Sequence, residues 1–277
     1  MNLNEMTPVQ AQALPHVLSG RNVLALANTG SGKTAAYALG VLNQLEPANF
    51  AVQTLVLCPT RELAEQVAQS VRSLARDVAN TKVLTLCGGV AIGPQIGSLQ
   101  HSAHIIVGTP GRVLKHLAKG TLHLQGMQTL VLDEADRLLD MGFADELDEI
   151  VTYLPAPRQC LMFSATFPEA VTALTQAFAD DVLTIDVRID EQRPSIQQGW
   201  YAVPSRDTDA RMEALWRALV LRGGASNLVF CNTKVDCADV AHFLAGEDIA
   251  AVALHGDLEQ DQRTRTLLRF ANGSATV

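Results

Sequence analysis

Two short motifs carry most of the chemistry that this sequence can perform. Residues 27–34 read Ala-Asn-Thr-Gly-Ser-Gly-Lys-Thr, and residues 133–136 read Asp-Glu-Ala-Asp. A glycine-rich loop before a helix lets backbone amides approach a phosphate chain, and the lysine and hydroxyl at its end can serve the terminal phosphates and Mg²⁺. Carboxylates at the end of a strand can hold that metal and orient an attacking water. Together the two motifs indicate a site for nucleotide hydrolysis.

The glycine-rich loop is the first half of this site. Gly30 and Gly32 place no side chain between backbone and ligand, and a helix that starts near Lys33 would direct its positive end at the phosphates. We expect Lys33 to contact the β- and γ-phosphates and Thr34 to ligate Mg²⁺. The general pattern has glycine where this chain has Ala27. The predicted nucleotide-binding residues of the loop are Ala27, Asn28, Thr29, Gly30, Ser31, Gly32, Lys33 and Thr34.

The acidic motif is the second half. It follows the apolar segment 129–132, so its carboxylates are expected at the carboxyl end of a strand, where parallel sheets bind ligands. Asp133 is predicted to hold Mg²⁺, partly through water, and Glu134 to position and deprotonate the nucleophilic water. Acidic residues also cap helices, and in isolation the motif could be such a cap. The presence of Lys33 and Thr34 in the same chain favours the catalytic interpretation.

The elements around these motifs predict an α/β fold. Seven apolar segments alternate with helical segments up to residue 186, which indicates a parallel, doubly wound sheet of the RecA-like type. A polar segment with a proline, 188–195, is typical of a linker, and a second α/β unit follows. We therefore predict a first domain at 1–186, a linker at 187–196 and a partial second domain at 197–277. The predicted strands are 23–27, 54–58, 83–87, 104–108, 129–133, 160–164 and 182–186, then 227–231 and 250–254; helices of the second unit are predicted at 210–221, 234–244 and 259–271.

Length, charge and cysteine content narrow the class of protein. The chain has 277 residues with 48% hydrophobic content, enough for two cores, and no apolar run or leader that predicts membrane insertion or secretion. Five cysteines without C-x-x-C spacing favour reduced thiols in a cytoplasm. A net charge of −8 argues against a broad basic surface, so any nucleic acid must be bound locally. His101 and His104 lack further metal ligands nearby, and we interpret them as surface residues.

Taken in order, the motifs resemble those of DEAD-box ATP-dependent RNA helicases over nearly the whole chain. Residues 7–10 resemble the end of the family's Q motif, which implies that Gln10 hydrogen-bonds the adenine edge and favours ATP. The segment 164–166 resembles the motif that links ATP hydrolysis to strand separation, which implies a coupling role for Ser164, Thr166 and Asp136. A plain capping role for the two hydroxyls stays open at this point.

Several further segments resemble RNA-contacting motifs of the family. They are 59–64, 88–89 and 109–112 in the first domain, and 229–233 and 255–257 with Gln260 and Arg263 in the second. Contacts to phosphates and 2′-hydroxyls position RNA without reading its sequence. Singly, each segment could be an ordinary turn or strand end. The residues implied to bind RNA are Pro59, Thr60, Arg61, Gly88, Gly89, Thr109, Pro110, Gly111, Arg112, Thr233, Gly256, Gln260 and Arg263.

The resemblance implies RNA-stimulated ATP hydrolysis, with Mg²⁺, coupled to local unwinding of short RNA duplexes by a cytoplasmic monomer. Segments 85–89 and 231–234 resemble the bacterial DbpA-type branch, which implies a role in ribosome assembly and ribosomal RNA as a candidate partner. An ATP-gated RNA clamp and a DNA-directed superfamily-2 helicase are the alternatives. The chain is expected to be a fragment that lacks the arginine finger, with little RNA-stimulated turnover by itself and an unpaired edge near Thr276.

Overall fold

The structure, a computed structural model, describes residues 5–101, 103–167, 169–188, 197–203, 207–223 and 226–277. The chain divides into two compact units, Met1–Pro194 and Ser195–Val277. Residues 189–196 of the predicted linker lie outside the described residues.

The first unit alternates strands with helices, as the apolar rhythm of the sequence predicts. Its strands are β1 (Asn22–Leu26), β2 (Thr54–Leu57), β3 (Val83–Leu86), β4 (Ile105–Gly108), β5 (Thr129–Leu132), β6 (Gln159–Ser164) and β7 (Val182–Asp186). Its helices are α1 (Pro8–Leu18), α2 (Lys33–Gln44), α3 (Arg61–Leu74), α4 (Ile92–Leu99), α5 (Pro110–Ala118), α6 (Ala135–Asp140), α7 (Ala144–Val151) and α8 (Glu169–Phe178), with a short 3₁₀ turn at Ala75–Asp77.

The seven strands form one parallel sheet in the order β3-β4-β2-β5-β6-β1-β7. Helices cover both faces, so strands such as β2 and β5 are buried along their whole length. The two faces carry separate apolar clusters: Leu55 and Leu130 belong to one, and Val56 and Val131 to the other. This arrangement confirms the predicted parallel α/β class.

The strand order decides which loops meet at the carboxyl edge of the sheet. Strands β5, β6 and β1 are neighbours, so the loops that follow them, with the acidic motif, Ser164 and the glycine-rich loop, share one half of that edge. Strands β3, β4 and β2 are neighbours on the other half, where the segments that resemble RNA-contacting motifs begin. The fold thus groups the two sets of motifs side by side.

The second unit contains α9 (Thr208–Arg222), α10 (Lys234–Gly246) and α11 (Gln260–Ala271). The predicted strands 227–231 and 250–254 are not strands in the described part of this unit. A strand needs a paired neighbour, and the segment that pairs with both is only two residues long, Thr276 and Val277.

The expectation of an unpaired edge near Thr276 is wrong. The Thr276 amide donates to the Ala250 carbonyl at 2.7 Å, and its carbonyl accepts from the Asn227 amide at 2.8 Å. The Val277 carbonyl accepts from the Val252 amide at 3.0 Å. The last two residues therefore lie between the two extended segments, with backbone partners on both sides. Within the ranges given above, no helix combines the length and apolarity that a membrane crossing needs.

Candidate nucleotide and nucleic-acid sites

The glycine-rich loop joins β1 to α2, and its backbone conformation depends on glycine. Gly30 and Gly32 have φ values of 82° and 92°, in the left-handed region that side chains disfavour. A Cβ on Gly32 would lie 2.4 Å from Nε2 of Gln10, so any other residue there would displace the Gln10 carboxamide. Helix α2 begins at Lys33 and presents its amino-terminal end to the loop. The Lys33 Nζ donates to the Ala27 carbonyl at 2.9 Å and therefore lies inside the loop.

Two polar side chains at the loop differ in whether they have hydrogen-bond partners within the protein. Gln10 is buried, its Nε2 donates to the Gly32 carbonyl at 3.1 Å, and its Oε1 accepts from the Thr7 amide at 3.1 Å. Both ends of this carboxamide are engaged, but each keeps a second position, one N–H and one lone pair, that is available to an adenine edge. The Ser31 hydroxyl is buried without a hydrogen-bond partner. A buried donor of this kind is costly unless a ligand satisfies it.

The acidic motif follows β5, which places Asp133 in the interior at 3% exposure. Its Oδ2 accepts from the Tyr37 hydroxyl at 2.8 Å, and its Oδ1 accepts from the Glu134 amide at 3.0 Å. Burial raises the pKa of Asp133 above its ordinary value, and the Tyr37 hydrogen bond and the charge of Lys33 oppose that rise. A hydroxyl on α2 thereby reaches a carboxylate 96 residues away in the chain.

Glu134 has a strained backbone, with φ 51° and ψ 56° in the left-handed region. This conformation costs a residue with a Cβ about 1–2 kcal/mol. Such strain persists where the surroundings impose it, and it clusters at active sites. The strain supports a functional interpretation of Glu134 over that of an ordinary helix cap.

Asp136 joins the acidic motif to the segment after β6. Its Oδ2 accepts from the Thr166 amide at 2.9 Å and from the Thr166 hydroxyl at 2.8 Å. The Ser164 hydroxyl donates to the Thr166 carbonyl at 2.7 Å, and the Ser164 carbonyl accepts from the Ala27 amide at 3.0 Å. Burial acts to raise the pKa of Asp136, but the Thr166 hydrogen bonds hold it below its ordinary value. Thr166 thus ties this segment to the acidic motif, and the Ser164 carbonyl ties it to the glycine-rich loop.

Arg61 connects two of the segments that resemble RNA-contacting motifs. It starts α3 after Pro59 and Thr60, and the Thr60 hydroxyl caps that helix by accepting from the Leu63 amide at 3.2 Å. The Arg61 Nη1 donates to the Gly88 carbonyl at 2.7 Å. A Cβ on Gly89, where φ is 77°, would lie 1.6 Å from that Nη1. The arginine therefore occupies the space that the glycine leaves open.

Arg112 forms the corresponding link on α5, which begins with Pro110 and Gly111 after its N-cap Thr109. One guanidinium nitrogen donates to the Val90 carbonyl at 2.7 Å and another to Oε1 of Gln95 at 2.8 Å. The loops after β2, β3 and β4 are thus bound to one another by two arginines.

The sequence did not single out Gln95 and His116. Gln95 accepts a hydrogen bond from Arg112, and His116 in turn contacts Gln95. His116 is fully buried. Its Nε2 is 3.0 Å from Oε1 of Gln95, and its Nδ1 is 2.9 Å from the Thr121 hydroxyl oxygen. The Gln95 Nε2 donates to the Cys87 carbonyl at 3.0 Å. Burial, with the charges of Arg112 and Lys119, lowers the pKa of His116. The four-residue spacing from Arg112 to His116 on one helix was the available signal.

In the second unit, the residues predicted to bind RNA lie near the amino ends of two helices. Thr233 caps α10, accepting from the Asp236 amide at 3.0 Å. The Lys234 Nζ lies 2.7 Å from Oδ2 of Asp257, which links α10 to the loop that contains Gly256. Gln260 is the first residue of α11, and Arg263 follows it within one turn.

His101 and His104 lie in different environments. No group of three or more His, Cys, Asp or Glu side chains in the described residues could hold a metal ion. His101 is exposed, as interpreted, but the surface interpretation of His104 is wrong because it is only 1% exposed. The His104 Nδ1 accepts from the Lys82 amide at 3.1 Å, which makes it part of the structure at the start of β4.

Comparisons with known proteins match this architecture. Among curated proteins, ATP-dependent RNA helicase DbpA of Escherichia coli (strain K12) is 53% identical over all of this chain and 61% of its own length. ATP-dependent RNA helicase DeaD of Haemophilus influenzae is 39% identical over 98% of this chain and 44% of its own length. The chain therefore spans less than two thirds of either relative.

Solved structures give the same picture. S. cerevisiae Dbp5 bound to RNA and ADP BeF3 matches with a TM-score of 0.86 and 29% identity, covering 100% of this chain and 70% of that one. A DEAD box protein from the hyperthermophile Methanococcus jannaschii matches with a TM-score of 0.64 and 37% identity, covering 98% and 72%.

Two family models match consecutive regions. Residues 7–174 match the DEAD/DEAH box helicase model, and residues 210–277 match the helicase conserved C-terminal domain. The first match covers more than half of the chain and contains both the glycine-rich loop and the acidic motif. The chain belongs to the DEAD/DEAH box helicase family.

Proposed function

We propose that the protein is an ATP-dependent RNA helicase, in which RNA-stimulated ATP hydrolysis drives local separation of short RNA duplexes. The observation that carries this proposal is the hydrogen bond of 2.8 Å between Tyr37 and Asp133, which joins the glycine-rich loop helix to the acidic motif at one edge of the sheet. Relatives named ATP-dependent RNA helicases, and a structural neighbour bound to RNA and ADP BeF3, support it.

The loop fits a nucleotide. The unpartnered Ser31 hydroxyl, the two left-handed glycines and the start of α2 offer donors and open space to a phosphate chain. Lys33 would exchange the Ala27 carbonyl for phosphate oxygens, since an ammonium group prefers an anion to a neutral acceptor. Gln10 would direct its remaining N–H and lone pair at the adenine edge. ATP is therefore the proposed substrate, bound by 27–34 with Gln10.

The acidic motif fits Mg²⁺ and the hydrolytic step. The Thr34 hydroxyl and the Asp133 carboxylate are hard oxygen donors of the kind this ion prefers, and they would hold it. When bound, Mg²⁺ neutralises charge that develops on the phosphates. Glu134 would orient the attacking water and accept its proton. Asp136 and Thr166 would transmit the change at this site to the rest of the sheet edge, because they connect the acidic motif to Ser164.

RNA would bind along the other half of the edge through its backbone. With a net charge of −8 the affinity must come from local cations and amides, here Arg61, Arg112 and the glycines beside them, with Arg263 in the second unit. Few phosphate contacts predict a shallow dependence of RNA affinity on salt.

The finer parts of the proposal rest on the relatives and on cysteine chemistry. The resemblance of 85–89 and 231–234 to the DbpA-type branch, with 53% identity to E. coli DbpA, supports ribosomal RNA as partner and ribosome assembly as the process. The five cysteines are all free thiols, which supports a reducing cytoplasm. We propose that the protein acts as a monomer.

The test is phosphate release by the full-length protein. Single-stranded RNA should stimulate turnover, and DNA of the same sequence should not. Glu134→Gln should lower the stimulated rate by at least ~10²-fold, because a positioned base contributes about that much. Equal stimulation by DNA would indicate a DNA-directed helicase. RNA binding that depends on ATP but proceeds without turnover would indicate a clamp.

A further inference from the structure

Tyr37 is a buried residue that the motifs do not assign to any role. It lies on α2, one helical turn after Lys33, and its side chain is fully buried. Its ring packs against that of Phe163 on β6, with centroids 5.2 Å apart. A ring held in this way has little freedom, so the position of its hydroxyl is set by the core of the sheet.

The Tyr37 hydroxyl is hydrogen-bonded to the acidic motif. It donates its proton to Oδ2 of Asp133 at 2.8 Å. Asp133 is one of the two residues proposed to hold Mg²⁺, and the other, Thr34, lies on the same helix as Tyr37, within one turn of it.

The hydroxyl also completes the orientation of the Asp133 carboxylate. Oδ1 of Asp133 accepts from the Glu134 amide at 3.0 Å, so the backbone fixes one oxygen and Tyr37 fixes the other. A carboxylate with both oxygens held cannot rotate freely about its terminal bond. Mg²⁺ demands near-ideal geometry of its oxygen ligands, so a carboxylate that is already held lowers the cost of arranging them.

We propose that Tyr37 is a positioning residue whose hydroxyl holds the Asp133 carboxylate in the orientation that takes up Mg²⁺ together with the nucleotide. This inference rests on the proposed function. It predicts that the hydroxyl determines how much Mg²⁺ is needed for tight nucleotide binding. The affinity for nucleotide without Mg²⁺ should not depend on the hydroxyl, because Lys33 is held separately by the Ala27 carbonyl.

The experiment compares wild type with Tyr37→Phe, which keeps the ring and removes only the hydroxyl. Binding of fluorescent ADP is measured in EDTA and at increasing Mg²⁺. We expect Tyr37→Phe to need about ten times more Mg²⁺ for the half-maximal gain in affinity, the size expected for one hydrogen bond to a charged group. Affinity in EDTA should match wild type within about twofold. Tyr153→Phe removes a hydroxyl from a partly exposed tyrosine and should behave as wild type.

A second comparison tests whether Tyr37 acts through Asp133. In an Asp133→Asn background, adding Tyr37→Phe should change the Mg²⁺ requirement by less than about twofold, because the charged oxygen that Tyr37 holds for the metal is already absent. A full tenfold effect there would overturn the proposal, as would an unchanged or lower Mg²⁺ requirement in the single variant. Loss of ADP affinity in EDTA would assign Tyr37 to the folding of α2 alone. Absence of Mg²⁺-dependent binding in wild type would overturn the proposed function itself, and this inference with it.

Discussion

The adjacent glycines of the loop after β3 should respond very differently to the same substitution. Gly89 has φ 77°, and a Cβ added there would lie 1.6 Å from Nη1 of Arg61. Gly88 has no positive φ, and a Cβ added there would meet nothing within 4 Å. Gly89→Ala should therefore disturb the loop and displace the arginine, whereas Gly88→Ala should be tolerated.

The magnitude follows from two separate costs. Forcing alanine into the left-handed region costs about 1–2 kcal/mol. The guanidinium is the flexible end of its side chain, so it can escape the clash, but it then loses its bond of 2.7 Å to the Gly88 carbonyl. A hydrogen bond with a charged donor contributes about 1.5–3 kcal/mol when it is shielded from water. This bond is only partly buried, so water can replace part of it and its contribution is smaller. We expect a destabilisation of about 1–3 kcal/mol for Gly89→Ala.

Two assays separate fold from function. Urea unfolding reports the free energy of unfolding, and fluorescence anisotropy of a labelled single-stranded RNA reports affinity. Gly89→Ala should weaken RNA binding as much as Arg61→Ala does, and Gly88→Ala should match wild type in both assays. If the two glycine variants give the same stability and the same RNA affinity, the contact between Arg61 and Gly89 does not position the arginine, and the reasoning is refuted.

Two further substitutions test the polar side-chain links. Thr166→Val removes the hydroxyl that donates to Asp136 at 2.8 Å but keeps the amide bond. Because Thr166 is exposed, water replaces part of the lost bond, and the free energy of unfolding in urea should fall by about 0.5–1.5 kcal/mol; an unchanged free energy would contradict this. Burial and the charges of Arg112 and Lys119 lower the pKa of His116 in the folded protein. The folded state therefore favours the neutral imidazole, and the stability that this group contributes is complete above the pKa of the unfolded state, about 6.5, and is lost as the pH falls below that value. His116→Gln keeps a donor toward Gln95 and should reduce the loss of stability between pH 8 and pH 5.5; an equal loss in both proteins would refute the role of His116.

The strands of the first unit could be predicted because each is a short apolar segment buried on both faces. β2 and β5, for example, have only apolar or threonine side chains, and turn residues or carboxylates follow them. Periodicity also placed the glycine-rich loop and the acidic motif at strand ends, where the structure has them. These features are local, so the sequence contains them directly.

The remaining features depend on contacts between distant residues. Tyr37 meets Asp133 only because β1 and β5 lie on either side of β6, an order that no local pattern reveals. His116 meets Gln95 for a similar reason, since α4 and α5 flank β4. The segments 227–231 and 250–254 failed as strand predictions because strand formation requires a partner, and apolar composition does not supply one.

The central claim is that residues 27–34 form a nucleotide site closed by Lys33, and equilibrium binding tests it most directly. Fluorescent ADP with Mg²⁺ is titrated into wild type, Lys33→Ala and Glu134→Gln, with urea unfolding as the control for folding. We predict binding by wild type and Glu134→Gln and a loss of at least ~10²-fold in Lys33→Ala, because only the lysine neutralises phosphate charge. Lys33→Ala that binds ADP as tightly as wild type would contradict the account.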